Sequence, residues 1–190
     1  MRLTSRLAIP AASAVLILAL SACGSGDDSH STMSGAGTTS SSTDEGATTS
    51  ATGDVEFAQM MIPHHEQAVE MADVALENDT ASQDVKALAA QIKAAQDPEI
   101  QTMKGWLAQW GASESSGQMD HGGMMSDDDM SSLMGASGPE FNQMWLSMMI
   151  RHPEGGVGMA QDVLATTSNP EVEKLATAVV EGQDNEITTM

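Results

Sequence analysis

Cysteine, aromatic residues and basic residues are scarce in this sequence. Its 190 residues contain one cysteine, no tyrosine, two phenylalanines and three tryptophans. A single cysteine excludes a disulfide within the chain, and so few aromatic side chains argue against a substrate pocket of the usual kind. Seven basic residues against 27 acidic ones give a formal charge of −20. This charge argues against nucleic acid as a partner, because phosphate would be repelled.

Motifs of the common enzyme classes are also missing. The sequence contains no HExxH, CxxC, GxSxG or glycine-rich phosphate loop. A di-iron bundle needs Glu-x-x-His on two helices, and no glutamate precedes any histidine by three residues here. We therefore predict that the protein is not an enzyme, although a copper-dependent redox enzyme stays as an alternative.

The first 22 residues predict an export signal. Arg2 and Arg6 precede an apolar run over residues 7–20, which is too short to span a bilayer. The sequence LSAC at residues 20–23 resembles the lipobox of bacterial lipoproteins, in which cleavage precedes the cysteine and its thiol receives the lipid. We therefore predict that Cys23 is lipidated and that this lipid alone holds the protein on the outer face of the cytoplasmic membrane. An ordinary signal peptide with an incidental cysteine is the alternative.

Residues 23–53 predict a disordered tether. After the cysteine they are mostly Ser, Thr, Gly, Ala and Asp, without an apolar period that could offset the entropy of ordering the chain. Loss of the signal would remove two basic residues and no acidic ones, so the net charge would change from −20 to −22. We interpret this acidity mainly as a source of solubility, although it also attracts cations.

One segment with histidine among methionines occurs twice. Residues 60–76 read MMIPHHEQAVEMADVAL, and residues 148–164 read MMIRHPEGGVGMAQDVL. A second pair of related segments follows at residues 85–103 and 172–190. This duplication, with helical periodicity and no strand pattern, predicts an all-α, four-helix bundle made of two duplicated hairpins. The bundle would cover residues 54–190, with a Met-rich connection at residues 112–137.

Helical spacing places several polar residues on the inner faces of these helices. His64 lies in one apolar stripe of the first helix and His65 in the neighbouring stripe. Glu99 and Glu186 take equivalent inner positions in the second and fourth elements. A buried carboxylate needs a histidine, a metal ion or a proton. Counting residues from the turn places His64 and Glu99 within roughly 4.5 Å of each other along the axis of the hairpin. The prolines inside the predicted helices are expected to bend or break them: Pro63, Pro98 and Pro153.

Methionines accompany the histidines at helical spacing. Met61 and Met71 flank His64 at three and seven residues, and His152 has methionines at the same two spacings. Imidazole and thioether ligands suit Cu(I), and the imidazoles also suit Cu(II) or Zn(II). The alternative is an adaptable methionine core with hydrogen-bonded histidines. The predicted metal ligands are His64, His65, Met61, Met71, Glu99, Met103, His152, Met149, Met159 and Glu186.

A second group of candidate ligands lies in the connection between the hairpins. Its sequence is rich in Gly, Ser and Asp, and MDHGGMM is typical of a flexible loop for a soft metal ion. A partly buried crossover, or a short helix opening near Ser126, is the alternative, because either would bury some of these residues. The predicted members of this secondary metal loop are Met119, His121, Met124 and Met125, with Met130 and Met134 nearby.

Four segments of the chain resemble the domain-of-unknown-function 305 (DUF305) family. They are FAQMMIPHHEQAVEMA, AAQDPEIQTMKGWLAQWG, the Met-rich connection and MMIRHPEGGVGMA, which together cover residues 54–190. The resemblance implies a ferritin-like four-helix bundle that is secreted or membrane-anchored and, as in some members, binds copper. It assigns the family's histidine pair to His64 and His65. The second hairpin usually carries a pair as well, but here it reads His152-Pro153.

The predicted function is an extracytoplasmic lipoprotein that captures, buffers or delivers copper through His and Met side chains. Its partners would be the metal ion, the membrane through the lipid anchor only, and a protein that receives the copper if the role is delivery. The alternative function is a helical interaction module on the cell envelope that binds no metal.

Overall fold

The computed structural model describes residues 44–114 and 122–190, with the side chains of residues 44–50 left out. Six helices occur in these residues: α1 (Asp44–Glu77), α2 (Gln83–Trp110), α3 (Asp127–Gly135), α4 (Gly138–Arg151), α5 (Pro153–Leu164) and α6 (Pro170–Thr189). The described part of the chain contains no strand. The prediction of an all-α protein is therefore confirmed.

Three continuous helices and one broken helix make the bundle. Helices α1 and α2 form the first hairpin, and α5 and α6 form the second. Helix α4 continues into α5 across His152, so the two together are the third element, while α1 packs against α5. This arrangement is the predicted four-helix bundle of two hairpins. The short helix α3 lies in the connection between them.

The first helix begins earlier than the sequence predicted. Helix α1 starts at Asp44, so residues 44–53, the last part of the predicted tether, are helical. Once a helix has nucleated on a packed face, each further residue adds one hydrogen bond, and α1 packs from Asp54 and Phe57 onward. The signal segment, Cys23 and residues 23–43 lie outside the described residues. None of the helices in the described ranges is long and apolar enough to cross a bilayer.

Only one of the three prolines separates helices. Pro63 lies inside α1 and Pro98 inside α2, and both helices run through them, so neither proline breaks its helix. Each of these long helices buries an apolar face on both sides of its proline, and this packing outweighs one lost hydrogen bond. Pro153 instead begins α5 directly after His152, where the following glycines are poor helix formers.

Two apolar clusters fill the bundle, one on each side of a polar layer. Along α1 the first cluster (cluster A) ends at Ile62 and the second (cluster B) begins at Ala68. Along α2 the order is reversed: cluster B ends at Ile92 and cluster A begins at Ile100. Cluster A includes Phe57, Met61, Ile100, Met103, Leu107, Val163, Val172 and Val179. Cluster B includes Met71, Val85, Ile92, Leu133, Phe141, Trp145 and Met149. The polar layer between them consists of His64, His65, Gln96, Glu99, His152, Gln183 and Glu186.

Candidate metal centre

The three histidines of the duplicated segments meet inside the bundle. His64 and His65 are 0% exposed and His152 is 1% exposed. The ring centroids of His64 and His152 are 3.9 Å apart, with the rings tilted by 40°. His64 and His65 have centroids 6.2 Å apart. The structure therefore brings equivalent histidines of the two halves into contact, as a shared site requires.

The helix break at Pro153 places a backbone carbonyl beside His64. Nε2 of His64 lies 3.1 Å from the carbonyl oxygen of His152, and the backbone N–H of Gly155 donates to the same oxygen at 3.2 Å. A carbonyl oxygen only accepts hydrogen bonds, so Nε2 of His64 carries the proton. A metal ion could then coordinate Nδ1 of His64 without breaking this bond.

A carboxylate holds the neighbouring histidine. Nε2 of His65 lies 2.8 Å from Oε2 of Glu99, whose side chain is 22% exposed. Nδ1 of His65 is buried without a hydrogen-bond partner among the described residues. A carboxylate on one ring nitrogen, with the other nitrogen left available, is typical of metal-binding histidines. Glu99 can therefore influence a bound ion through His65 rather than as a direct ligand.

His152 is held in its neutral form. Burial, and to a smaller extent the charge of His65, lower the pKa of His152 to about 4. Nε2 of His152 is buried and makes no hydrogen bond within the described part of the chain. A neutral imidazole keeps a nitrogen lone pair that can bind a metal ion at physiological pH.

The second inner glutamate is stabilised by a proton. The pKa of Glu186 is raised to about 7. Burial is the main cause and the charge of Glu99 adds to it, while a hydrogen bond with Gln96 acts in the opposite direction. The sequence left a histidine, a metal ion or a proton as the partner of each inner glutamate. Glu99 has the histidine, and Glu186 is the group that retains a proton near neutral pH.

The predicted methionine ligands lie in or against the two apolar clusters on either side of the polar layer. Cluster A holds Met61 and Met103 and contacts Met159, whereas cluster B holds Met71 and Met149. Met61 and Met149 lie one helical turn before His64 and His152 respectively. Their burial is expected under both interpretations, because a thioether that fills the core and a thioether that borders a metal site occupy similar positions.

Oxygen and nitrogen groups alone do not form a ligand set in this layer. Within residues 51–114 and 122–190, no three His, Cys, Asp or Glu side chains are arranged to hold one ion. The three histidines and two glutamates among the predicted ligands therefore do not form one coordination sphere. The other side chains near this layer that can bind a metal ion are the methionine thioethers, which are ligands of soft ions.

The described end of the Met-rich connection lies directly on the histidines. A Cβ atom added to Gly123 would be 2.8 Å from the carbonyl oxygen of His152. A Cβ atom added to Gly155 would collide with the carbonyl oxygen of Gly122 and would lie 3.1 Å from Nε2 of His64. The loop is therefore part of the surroundings of the histidine pair rather than a separate region. Met119 and His121 lie outside the described residues.

The methionines of this connection differ in their surroundings. Met125 is buried, and a guanidinium nitrogen of Arg151 donates to its sulfur at 3.0 Å, which leaves that sulfur poorly placed for a cation. Met124 is half-buried. Ser126 caps α3 through a reciprocal pair of hydrogen bonds with Asp129, so the alternative of a short helix opening near Ser126 is confirmed. Helix α3 buries Met130, whereas Met134 is exposed.

The sequence profile of DUF305, a domain of unknown function, matches residues 54–190. The chain belongs to the DUF305 family. A DUF305 protein of Streptomyces coelicolor, described as a predicted secreted protein, is 31% identical with a TM-score of 0.68, over 72% of this chain and 88% of that chain. A DUF305 fragment from Deinococcus radiodurans is also 31% identical, with a TM-score of 0.67, over 72% of this chain and 91% of that chain.

A third solved structure similar to this DUF305 domain is CopM in its Cu(I)-bound form. It is 32% identical with a TM-score of 0.60, over 71% of this chain and 90% of that chain. CopM has also been solved in Cu(II)-bound, silver-bound and apo forms. Comparison with functionally curated proteins finds no significant match.

Three glutamines of this DUF305 domain take part in the site although sequence reasoning did not select them. Gln96 and Gln183 each lie three residues before an inner glutamate, Glu99 or Glu186, and both are buried in the polar layer. Gln67 binds the backbone of the connection: Nε2 donates to the carbonyl oxygen of Met125 at 2.8 Å, and the Met125 N–H donates to Oε1 at 2.7 Å. Gln96 and Gln183 could have been identified as polar residues on apolar stripes. Gln67 could have been identified by comparing the two copies of the repeat, because the equivalent residue in the second copy is Gly155.

Proposed function

We propose that this protein binds copper outside the cytoplasm, with Cu(I) as the preferred ion. The ion would bind in the polar layer through one or two imidazole nitrogens supplied by His64, His65 and His152, together with thioether sulfurs from the adjoining clusters. The observation that carries the proposal is the direct contact between His64 and His152, which come from the two halves of the duplication and are both fully buried.

The chemistry of the layer favours a soft monovalent ion. His152 is neutral because burial lowers its pKa, and its Nε2 atom is buried without a partner within residues 51–114 and 122–190. Methionines border the layer on both sides. Thioether and imidazole ligands together suit Cu(I), whereas Cu(II) and Zn(II) would depend on the imidazoles and on oxygen ligands that do not converge here.

The relatives support the same ion. CopM has been solved with Cu(I), with Cu(II) and with silver, and silver in its monovalent form is a soft ion that binds to the same ligand types as Cu(I). CopM and this chain are 31–32% identical over about seven tenths of this chain. This similarity supports the proposal that the two proteins bind metal ions through related ligands.

An envelope location fits this proposal. One DUF305 relative is described as secreted, and residues 1–22 of this chain have the pattern of an export signal with a cysteine that follows as the lipid acceptor. We assign the protein a role in capture, buffering or delivery of copper, with a protein acceptor if the role is delivery. The proposal includes no catalytic step.

The test is a Cu(I) titration of the chain without its signal segment. Under anaerobic conditions the protein would compete with a chromophoric Cu(I) chelator, and the absorbance of the chelator complex would report the affinity. The triple variant His64→Ala, His65→Ala and His152→Ala should lose the tight binding, because the imidazole nitrogens of the layer are gone.

The matched control is Gln183→Leu, which changes the polar layer without removing an imidazole. Circular dichroism of both variants would establish that the bundle is folded. Failure of the unaltered protein to take up Cu(I) would refute the proposed function. Equal affinity of the triple variant and the unaltered protein would refute the assignment of the site while leaving copper binding in place.

A further inference from the structure

The connection between the hairpins is attached to α1 on both sides of its central segment. Nε2 of Gln59 donates to the carbonyl oxygen of Ser113 at 2.7 Å. Gln67 makes two hydrogen bonds with the backbone of Met125, donating at 2.8 Å and accepting at 2.7 Å. Gln59 and Gln67 are eight residues apart and therefore project from similar sides of the helix. The connection thus returns to α1 next to the histidine pair.

The two copies of the repeat differ at the position that meets this connection. Gln67 follows His64 by three residues, and Gly155 follows His152 by three residues. The first copy supplies a side chain that binds the backbone at Met125. The second copy supplies no side chain, and a Cβ atom there would collide with the carbonyl group of Gly122. The two positions together seat residues 122–125 against the histidine pair.

The amide of Gln67 is chemically suited to this role. The main chain of Met125 presents one N–H donor and one carbonyl acceptor, and a side-chain amide can form a hydrogen bond with each of them at the same time. A glutamate of the same size would accept from the Met125 N–H, but its second oxygen would face the carbonyl oxygen of Met125 without a proton between them. An alanine would make neither bond.

We propose that Gln67 is a positioning residue that keeps residues 122–125 over His64 and His152 and thereby slows the exchange of the bound ion. This inference rests on the proposed copper binding in the polar layer. The backbone of residues 122 and 123 lies within contact distance of the His152 carbonyl and of Gly155. An ion that leaves the histidine pair on this side must displace the segment, and the two hydrogen bonds of Gln67 oppose that displacement.

The test compares Gln67→Glu and Gln67→Ala with the unaltered protein. Purified protein loaded with Cu(I) would be mixed with an excess of a chromophoric Cu(I) chelator, and stopped-flow absorbance would give the release rate. Gln67→Ala should release Cu(I) faster by on the order of tenfold, since it loses both backbone hydrogen bonds. Gln67→Glu should also release Cu(I) faster, since it loses one of the two bonds and brings a carboxylate oxygen against the carbonyl oxygen of Met125. Amide hydrogen exchange of the copper-free protein should show lower protection at Met125 in Gln67→Ala, because its N–H loses the acceptor.

Gln91→Glu and Gln91→Ala are the matched controls, because Gln91 is exposed on α2 and belongs to no part of the layer. They should release Cu(I) at the rate of the unaltered protein. Equal release rates for the Gln67 variants and the unaltered protein would overturn the inference while leaving the proposed function standing. Equal acceleration by the Gln91 variants would also overturn it. Failure of the unaltered protein to load Cu(I) would overturn both proposals.

Discussion

Replacement of Gly155 by alanine tests whether the connection is packed on the histidine pair. In an open helical position, glycine to alanine stabilises a protein by roughly 0.5–1 kcal/mol. At Gly155 the new Cβ atom would lie 2.6 Å from the carbonyl carbon of Gly122 and would collide with its oxygen. These are backbone atoms that cannot rotate away, so the overpacking cost of about 1–3 kcal/mol should outweigh the gain. We therefore expect Gly155→Ala to destabilise the protein by up to about 2.5 kcal/mol.

Gly158 is the matched control, because it lies one turn further along α5 and a Cβ atom there would have no neighbour within 4 Å. Gly158→Ala should therefore stabilise the protein by about 0.5–1 kcal/mol. Urea unfolding of the copper-free variants, followed by circular dichroism, measures both free energies of unfolding. In a domain of this size each kcal/mol corresponds to roughly 2–4 °C in Tm. If Gly155→Ala proved as stabilising as Gly158→Ala, the close approach of the connection would be refuted.

Three further changes test other parts of the site. Because burial raises the pKa of Glu186 to about 7, the stability that its protonated form contributes is complete below the ordinary value near 4.5 and is lost as pH rises through about 7. Glu186→Gln should therefore gain stability relative to the unaltered protein between about pH 5 and pH 8 in urea unfolding; a pH-independent difference would contradict this. Trp145→Phe removes a buried indole hydrogen bond of 2.8 Å to the carbonyl of Met71 and should cost about 1 kcal/mol by the same measurement; no loss would contradict the role of that bond. Cu(I) at about 100 times its Kd should stabilise the protein by about 2.7 kcal/mol, a rise in Tm that a competing chelator should reverse.

The inner faces of the helices were predictable because a buried helical stripe leaves a periodic record in the sequence. His64 and His65 occupy neighbouring apolar stripes, and both are buried. Glu99 interrupts such a stripe, and this interruption identified it as a residue that needs a partner. Periodicity reports which side of a helix faces inward, so it located the polar layer without any knowledge of the tertiary structure.

The pairing inside the layer was not predictable from residue counts. Counting from the turn placed His64 at the level of Glu99, whereas the structure pairs Glu99 with His65. Adjacent residues of a helix differ by only about 1.5 Å in level but point in directions about 100° apart. The direction therefore decides which residue makes the bond, and it depends on how the two helices are rotated against each other. A straight-helix count contains no such information.

The position of the connection against the bundle could not be predicted from the sequence at all. Its Gly, Ser and Asp residues have no periodicity that indicates a face, and MDHGGMM therefore predicted a loop with soft ligands but no location. Backbone contacts decide the location, through the carbonyl of Gly122 beside Gly155 and the two bonds between Gln67 and Met125. Contacts of this kind depend on the absence of a side chain as much as on its presence.

The polar layer is expensive for the stability of the fold, and this cost is an argument about its purpose. Within the described residues, several of its buried atoms make no hydrogen bond: Nδ1 of His65, Nε2 of His152, Oε1 of Gln96, Oε1 of Gln183 and Oε2 of Glu186. Each unsatisfied buried polar atom costs roughly 1–3 kcal/mol. Apolar residues between clusters A and B would avoid this cost, so packing alone does not account for the layer. An ion that takes up imidazole lone pairs in this layer would recover part of the cost, which links the instability of the copper-free layer to the affinity that we propose.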